Sequence, residues 1–138
     1  MSTEDNKTSV RRFFAEYGRG NLDGAEEMLA TDFVNHQSDN TLQNRQEFKQ
    51  LGSAFLTAFP NLEETIEDQV AESDKVATRL TFKGTHSGEL MGIPPTGKQV
   101  TFTALAIDRL VDGKIADRWH LFDTLGMLQQ LGVIPPMG

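Results

Sequence analysis

The stretch K114-I-A-D-R-W-H-L-F-D-T-L-G-M-L-Q-Q-L-G132 decides how this chain is read. Up to Phe122 its side chains alternate as on a strand, and from Thr124 they recur at helical spacing. Asp123 stands at the junction, where it can cap the helix or do chemistry in a pocket. Along the strand, Asp117, Trp119, Leu121 and Asp123 share one face; Arg118, His120 and Phe122 share the other. If the Trp119 face lines a hollow, Asp123 stands among apolar groups, and burial raises a carboxyl pKa toward working pH. If Asp123 only caps, backbone N–H groups hold its charge and the pKa falls.

Upstream of this ending the period is also two. Lys75 to Thr85 reads as a strand, as does Gln99 to Leu110, with V111-D-G-K114 as a hairpin turn between the latter and the final strand. L62-E-E-T-I-E-D-Q-V-A-E-S73 supplies a first strand. The intervening H86-S-G-E-L-M-G-I-P-P-T-G-K-Q99 is rich in Gly and Pro and reads as a loop. Before Pro60 the spacing is helical. Val10, Phe13, Phe14 and Tyr17 make one apolar stripe, and Phe48, Leu51, Phe55, Leu56 and Phe59 make another. A short helix from Leu22, capped by Asn21, lies between them. Residues 1–7 read as a frayed tail, and T31-D-F-V-N-H-Q37 as a strand at a sheet edge. Helices followed by an antiparallel meander predict an α+β architecture: N-terminal helices packed on a curved, mostly antiparallel sheet of four main strands, with a short C-terminal helix. Such a sheet encloses a cone-shaped hollow, where ligands bind.

The chain has 138 residues, which predicts one domain spanning 1–138, with residues 133–138 as a closing tail. It has no cysteine, so thiolate metal sites and disulfides are excluded and a cytoplasmic setting is expected. A formal charge of −7 argues against a nucleic-acid partner. The polar start lacks a signal-peptide core, and no apolar run is long enough to span a membrane. The three histidines have no metal-ligand spacing, and no phosphate loop or Gly-x-Ser-x-Gly elbow is present, so neither metal nor cofactor is expected.

Two segments carry a family resemblance. G84-T-H-S-G-E-L-M-G-I-P-P-T-G-K-Q-V100 resembles the signature loop of the SnoaL-like polyketide cyclases and ester cyclases, and D112-G-K-I-A-D-R-W-H-L-F-D-T-L-G-M-L-Q-Q-L-G132 resembles their ending. The resemblance spans nearly the whole chain. It implies the cone-shaped barrel of the nuclear-transport-factor-two-like superfamily, often a homodimer. It also implies a cofactor-free ring closure by an intramolecular aldol step, with an Asp on the last strand as general acid and base. Asp123 matches that position. The neighbouring strand, T101-F-T-A-L-A-I-D-R-L110, lacks the His found in well-studied members.

Besides Asp123, the candidate catalytic residues are Arg79, His86 and His36. Arg79 stands mid-strand, where it orients Asp123 or holds an enolate oxygen, or else faces solvent or a dimer partner. His86 and His36 are proton carriers at a pocket mouth, or a loop-fixing bond and a surface strand end. His120 is expected to pack or to face a partner. Trp119, Tyr17, Met91, Leu121 and Phe55 are the candidate walls for a small hydrophobic carbonyl compound, Met91 as part of an apolar lip. The reading is therefore a cyclase, isomerase or dehydratase. A non-catalytic binding or association module is one alternative. An epoxide-hydrolase-like enzyme is the other, weakened because Arg79 is followed at i+2 by Thr81 and not by an acid.

Overall fold

A computed structural model describes residues 1–135; residues 136–138 of the expected tail lie outside them. The chain runs α1 (Thr3–Gly18), α2 (Leu22–Glu27), β1 (Leu29–His36), β2 (Leu42–Asn44), α3 (Arg45–Ala58), β3 (Glu63–Glu72), β4 (Lys75–Thr85), β5 (Gln99–Val111), β6 (Lys114–Phe122) and α4 (Thr124–Leu131). Six strands form one sheet in the order β2-β1-β6-β5-β4-β3. Every pairing is antiparallel except β1 with β6.

Local chemistry explains most boundaries. The Ser2 hydroxyl accepts the Asp5 N–H at 3.0 Å and the Asp5 carboxylate accepts the Ser2 N–H at 3.1 Å, a reciprocal cap that starts α1. The expected frayed tail is thus the helix's first turn, and Asn6 is buried. Asn44 and Glu47 make the same box at the start of α3. Asp112 (φ 50°) and Gly113 (φ 79°) take the left-handed conformation of a tight hairpin turn, as their Asp-Gly sequence predicts. Residues 31–36, expected at an edge, lie inside the sheet, because β2 covers one side of β1 and β6 the other.

Register shifts curl the sheet. One falls between Ile66 and Asp68 on β3, one between Arg109 and Leu110 on β5, and one between Leu29 and Val34 on β1. Such irregularities bend strands and add twist. The helices fill the concave side, where Val10, Phe13 and Phe14 of α1 meet Val76, Leu80 and Phe82 of β4 and Phe102 of β5. Strict alternation divides β5: Val100, Phe102, Ala104, Ala106, Asp108 and Leu110 point in, while Leu105 and Ile107 point out. Among the described residues no helix is long and apolar enough to cross a membrane.

Candidate functional site

The concave side keeps an open cavity of about 400 Å³. Its walls are Phe13, Phe14 and Tyr17 of α1, Phe48 and Phe55 of α3, and Phe82, Phe102 and Phe122 of the sheet. Leu90 and Met91, from the loop between β4 and β5, form its lip. Aromatic walls with few polar groups suit a flat, largely apolar molecule.

Two of those polar groups come from β6. Pairing of β6 with β5 sets Asp108 opposite Arg118 and Ala106 opposite His120. The fully buried Asp108 accepts two hydrogen bonds from Arg118, from Nε at 2.6 Å and from Nη2 at 3.1 Å. The guanidinium carbon also lies 4.3 Å from the Phe13 ring centroid and 4.8 Å from that of Phe14. Charge, fork geometry and stacking together hold this cation still. Burial pushes the Asp108 carboxyl up, while the charge and bonds of Arg118 oppose it. Nη1 of Arg118 has no hydrogen-bond partner among the described residues, and the side chain is part of the cavity wall.

His120 stands two residues along the same face, so it too enters the cavity. Its ring meets the edge of Phe122 at 4.9 Å between centroids and lies 6.3 Å from Phe48. Neither ring nitrogen has a protein partner among the described residues. Burial, helped by the Arg118 charge, pushes its pKa down to about 4, so the imidazole is neutral at pH 7. Tyr17 donates its hydroxyl to the Gly52 carbonyl at 3.2 Å; burial raises its pKa well above the usual phenol value, so it stays protonated. Glu64, on the inner side of β3, has both carboxyl oxygens buried, with the Gly18 backbone beside them. Burial pushes its pKa up to about 8, with Arg118 opposing.

Among the candidates read from sequence, Tyr17, Phe55, Met91 and Leu121 line this cavity, Leu121 from an exposed position at its rim. The expected face of β6 needs correction: Arg118, His120 and Phe122 point inward, and Asp117 and Trp119 point outward. Asp123 is exposed, and its carboxylate accepts the Gly126 N–H at 3.0 Å as the cap of α4. Arg79 lies on the convex side, clipped to Asp68 by two bonds of 3.1 Å. His36 is also convex: its Nε2 is 3.0 Å from Asp117 and its ring stacks on Trp119 at 4.6 Å between centroids. Trp119 is 38% exposed there and is not a cavity wall. His86 is fully buried at the base of the β4–β5 loop, where its Nδ1 accepts the Thr96 N–H at 3.2 Å. His120 and Arg118, which the sequence does not place in the hollow, are the polar side chains that β6 brings to the cavity. The hairpin turning at Asp112-Gly113 sets two charge pairs opposite each other, Asp108 with Arg118 and Arg109 with Asp117, and the sequence alone does not say which pair faces the hollow.

A helix-covered, curved sheet around an apolar cavity with a cation and an imidazole in its wall defines a small-molecule-binding α+β cone. Residues 8–131 match the model of the SnoaL-like polyketide cyclases, and the chain belongs to that family. It is 29% identical over 127 residues to the aklanonic acid methyl ester cyclase DnrD of Streptomyces peucetius, covering 89% of this chain and 88% of the relative. It is 30% identical over 122 residues to the nogalonic acid methyl ester cyclase of Streptomyces nogalater, covering 84% of this chain and 89% of that one. Among solved structures, the candidate hydroxylase AclR of Streptomyces galilaeus superposes with a TM-score of 0.92 at 30% identity, covering 99% of this chain and 87% of that one.

Proposed function

We propose that this protein closes a ring within a polyketide-type carbonyl compound held in the cavity, with His120 moving the proton and Arg118 holding the developing oxyanion. The observation that carries this reading is the placement of both side chains on one face of β6, in the wall of an aromatic cavity, with Nη1 of Arg118 and both ring nitrogens of His120 bonded to no described residue. Neutral His120 takes a proton from the carbon beside a carbonyl. The C–H electron pair moves into the new enolate, whose oxygen lies against Arg118. The enolate carbon then attacks a second carbonyl of the same molecule, forming the C–C bond, and the resulting alkoxide recovers the proton from His120.

A basicity as low as that of His120 in the empty cavity fits this cycle. Desolvation disfavours the imidazolium only until an anion stands beside it. The enolate supplies that anion, so imidazolium and enolate stabilise each other as they form. The chemistry requires proton transfer and charge stabilisation alone, which side chains supply. The methyl esters named for the two cyclases above are the first substrates to try. His120→Ala should lower turnover by orders of magnitude while substrate still binds; turnover at the wild-type rate would overturn the assignment.

The convex face supports a homodimer. Leu105 pairs with Leu121 and Ile107 with Trp119 across β5 and β6, and all four are exposed. The ion pairs Arg79–Asp68 and Arg109–Asp117 flank this strip, each offering both signs of charge. A two-fold axis through such a surface sets apolar against apolar and acid against base. Ile107→Glu should leave the fold intact and yield a monomer in sedimentation velocity. A wild-type chain that already sediments as a monomer would overturn the dimer.

A further inference from the structure

The β4–β5 loop contains a small unit that the proposed chemistry does not use. Leu90 and Ile93 bond each other reciprocally, Leu90 N–H to Ile93 O at 3.1 Å and Ile93 N–H to Leu90 O at 2.7 Å. This closes a two-residue turn of Met91 (φ 49°) and Gly92 (φ 79°). Gly92 takes that conformation freely. A side chain at Met91 costs on the order of 1–3 kcal/mol, so a glycine would be the stable choice. What the methionine adds is position: Leu90 is buried in the cavity wall, while Met91 lines the same cavity and is 63% exposed, which puts it on the open side. An unbranched, adaptable thioether there blocks passage without filling the site.

The ends of the loop are pinned. Ser87 and Gly88 donate to the Ala58 carbonyl at 2.9 and 3.2 Å, and Gly88 sits so close to α3 that a Cβ would lie 2.3 Å from the Thr57 carbonyl oxygen. On the other side His86 donates its N–H to Lys98 O at 2.9 Å and accepts the Gly97 N–H at 2.9 Å. Its Nδ1 accepts the Thr96 N–H, with the Thr96 hydroxyl at 3.1 Å. Nδ1 as acceptor leaves the proton of the neutral ring on Nε2, which is buried without a partner. The His86 backbone thus joins the two strands of the loop's base, its ring adds a link to Thr96, and residues 89–95 extend beyond it.

We infer that the Leu90–Ile93 turn is a gate over the cavity, that Met91 sets the size of molecule admitted, and that His86 is the positioning residue that fixes the gate's base. This rests on the cavity being the working site, and its test needs no turnover. The chain lacks cysteine, so His120→Cys places a single thiol on the cavity wall. Its alkylation is followed with iodoacetamide, which is small, and with N-(1-pyrenyl)maleimide, which is bulky, each referred to a free thiol. Adding Met91→Gly should speed the bulky reagent several-fold and leave the small one little changed, because glycine suits the turn and the fold is kept. His86→Gln in the same background should shift the ratio in the same direction. Equal acceleration of both reagents by Met91→Gly, or none, would overturn the gate. Loss of the ratio change only in His86→Gln would remove His86 from it. A failed cyclase reading would appear instead as wild-type turnover in His120→Ala.

Discussion

The two faces of the sheet carry nearly the same chemical parts. The concave face has His120, Arg118 paired with Asp108, and a shell of phenylalanines. The convex face has His36, Arg109 paired with Asp117, and Trp119 stacked on the histidine. What separates them is solvent and satisfaction. His36 is bonded through Nε2 to a carboxylate at a half-buried position, so one of its ring nitrogens is already engaged. His120 is enclosed by rings and bonded to no described residue, and burial holds it neutral. Residue type therefore does not distinguish the two faces. An unengaged polar group in a low-dielectric hollow does, because a ligand can still supply what it lacks.

The largest break in this comparison should come from exchanging the histidines for alanine one at a time. His120→Ala should lower kcat roughly 10²- to 10⁴-fold, the usual range for a lost general acid–base group, and His36→Ala should leave it nearly unchanged. Steady-state kinetics on a methyl ester substrate decides it. In the wild type, kcat/KM should hold from neutrality downward and fall only as pH approaches about 4, where His120 takes up a proton.

The next effect is on stability. Asp108→Asn keeps the shape but leaves the Arg118 cation buried without its counter-charge, which costs roughly 3–5 kcal/mol. Chemical denaturation should report it, and Lys7→Ala, whose ion pair with Glu4 lies on the exposed side of α1, should produce no measurable change.

Glu64 gives a pH-dependent version of the same contrast. Its pKa is about 8 in the fold against an ordinary 4.5, so the folded chain keeps a proton that the unfolded chain releases. Its contribution is intact below pH 4.5 and is lost as pH rises through 8. Glu64→Gln removes this dependence. Between pH 5 and pH 8 the variant's stability advantage should widen by roughly 3 kcal/mol, at about 1.4 kcal/mol per pKa unit. A constant difference across that range would mean the carboxyl is not held protonated.

Much of this molecule is legible in its sequence because caps, turns and periods act over a few residues. Asn21, Pro60, Asp112-Gly113 and the apolar stripes locate α2, the end of α3, the β5–β6 hairpin and the core side of α1. What was not legible depends on distant partners. β2 has three residues and no alternation of its own, and β1 lies inside the sheet because of a parallel partner some eighty positions away. The orientation of β6 is of the same kind. Period two divides Arg118, His120 and Phe122 from Asp117, Trp119 and Leu121, but only the side on which the helices pack determines which set is enclosed. Trp119 suggested the wrong set, since a lone tryptophan usually marks a core and here stacks on His36 at the convex surface.

The smallest expected effect belongs to the junction of β6 and α4. Asp123 accepts the Gly126 N–H and begins α4, whose Met127 and Leu131 are buried in the core. Losing a cap of this kind costs about 1 kcal/mol, while asparagine caps nearly as well as aspartate. Asp123→Ala should therefore lower the denaturation midpoint slightly, and Asp123→Asn should not. In both variants kcat on a methyl ester substrate should stay near the wild-type value, because the carboxylate is outside the cavity and already engaged. The asparagine variant separates the two roles: it keeps the cap and removes the proton-transfer capacity. If it folds as stably as the wild type and still loses its turnover, the reacting proton passes through Asp123 at the rim rather than through His120 in the wall.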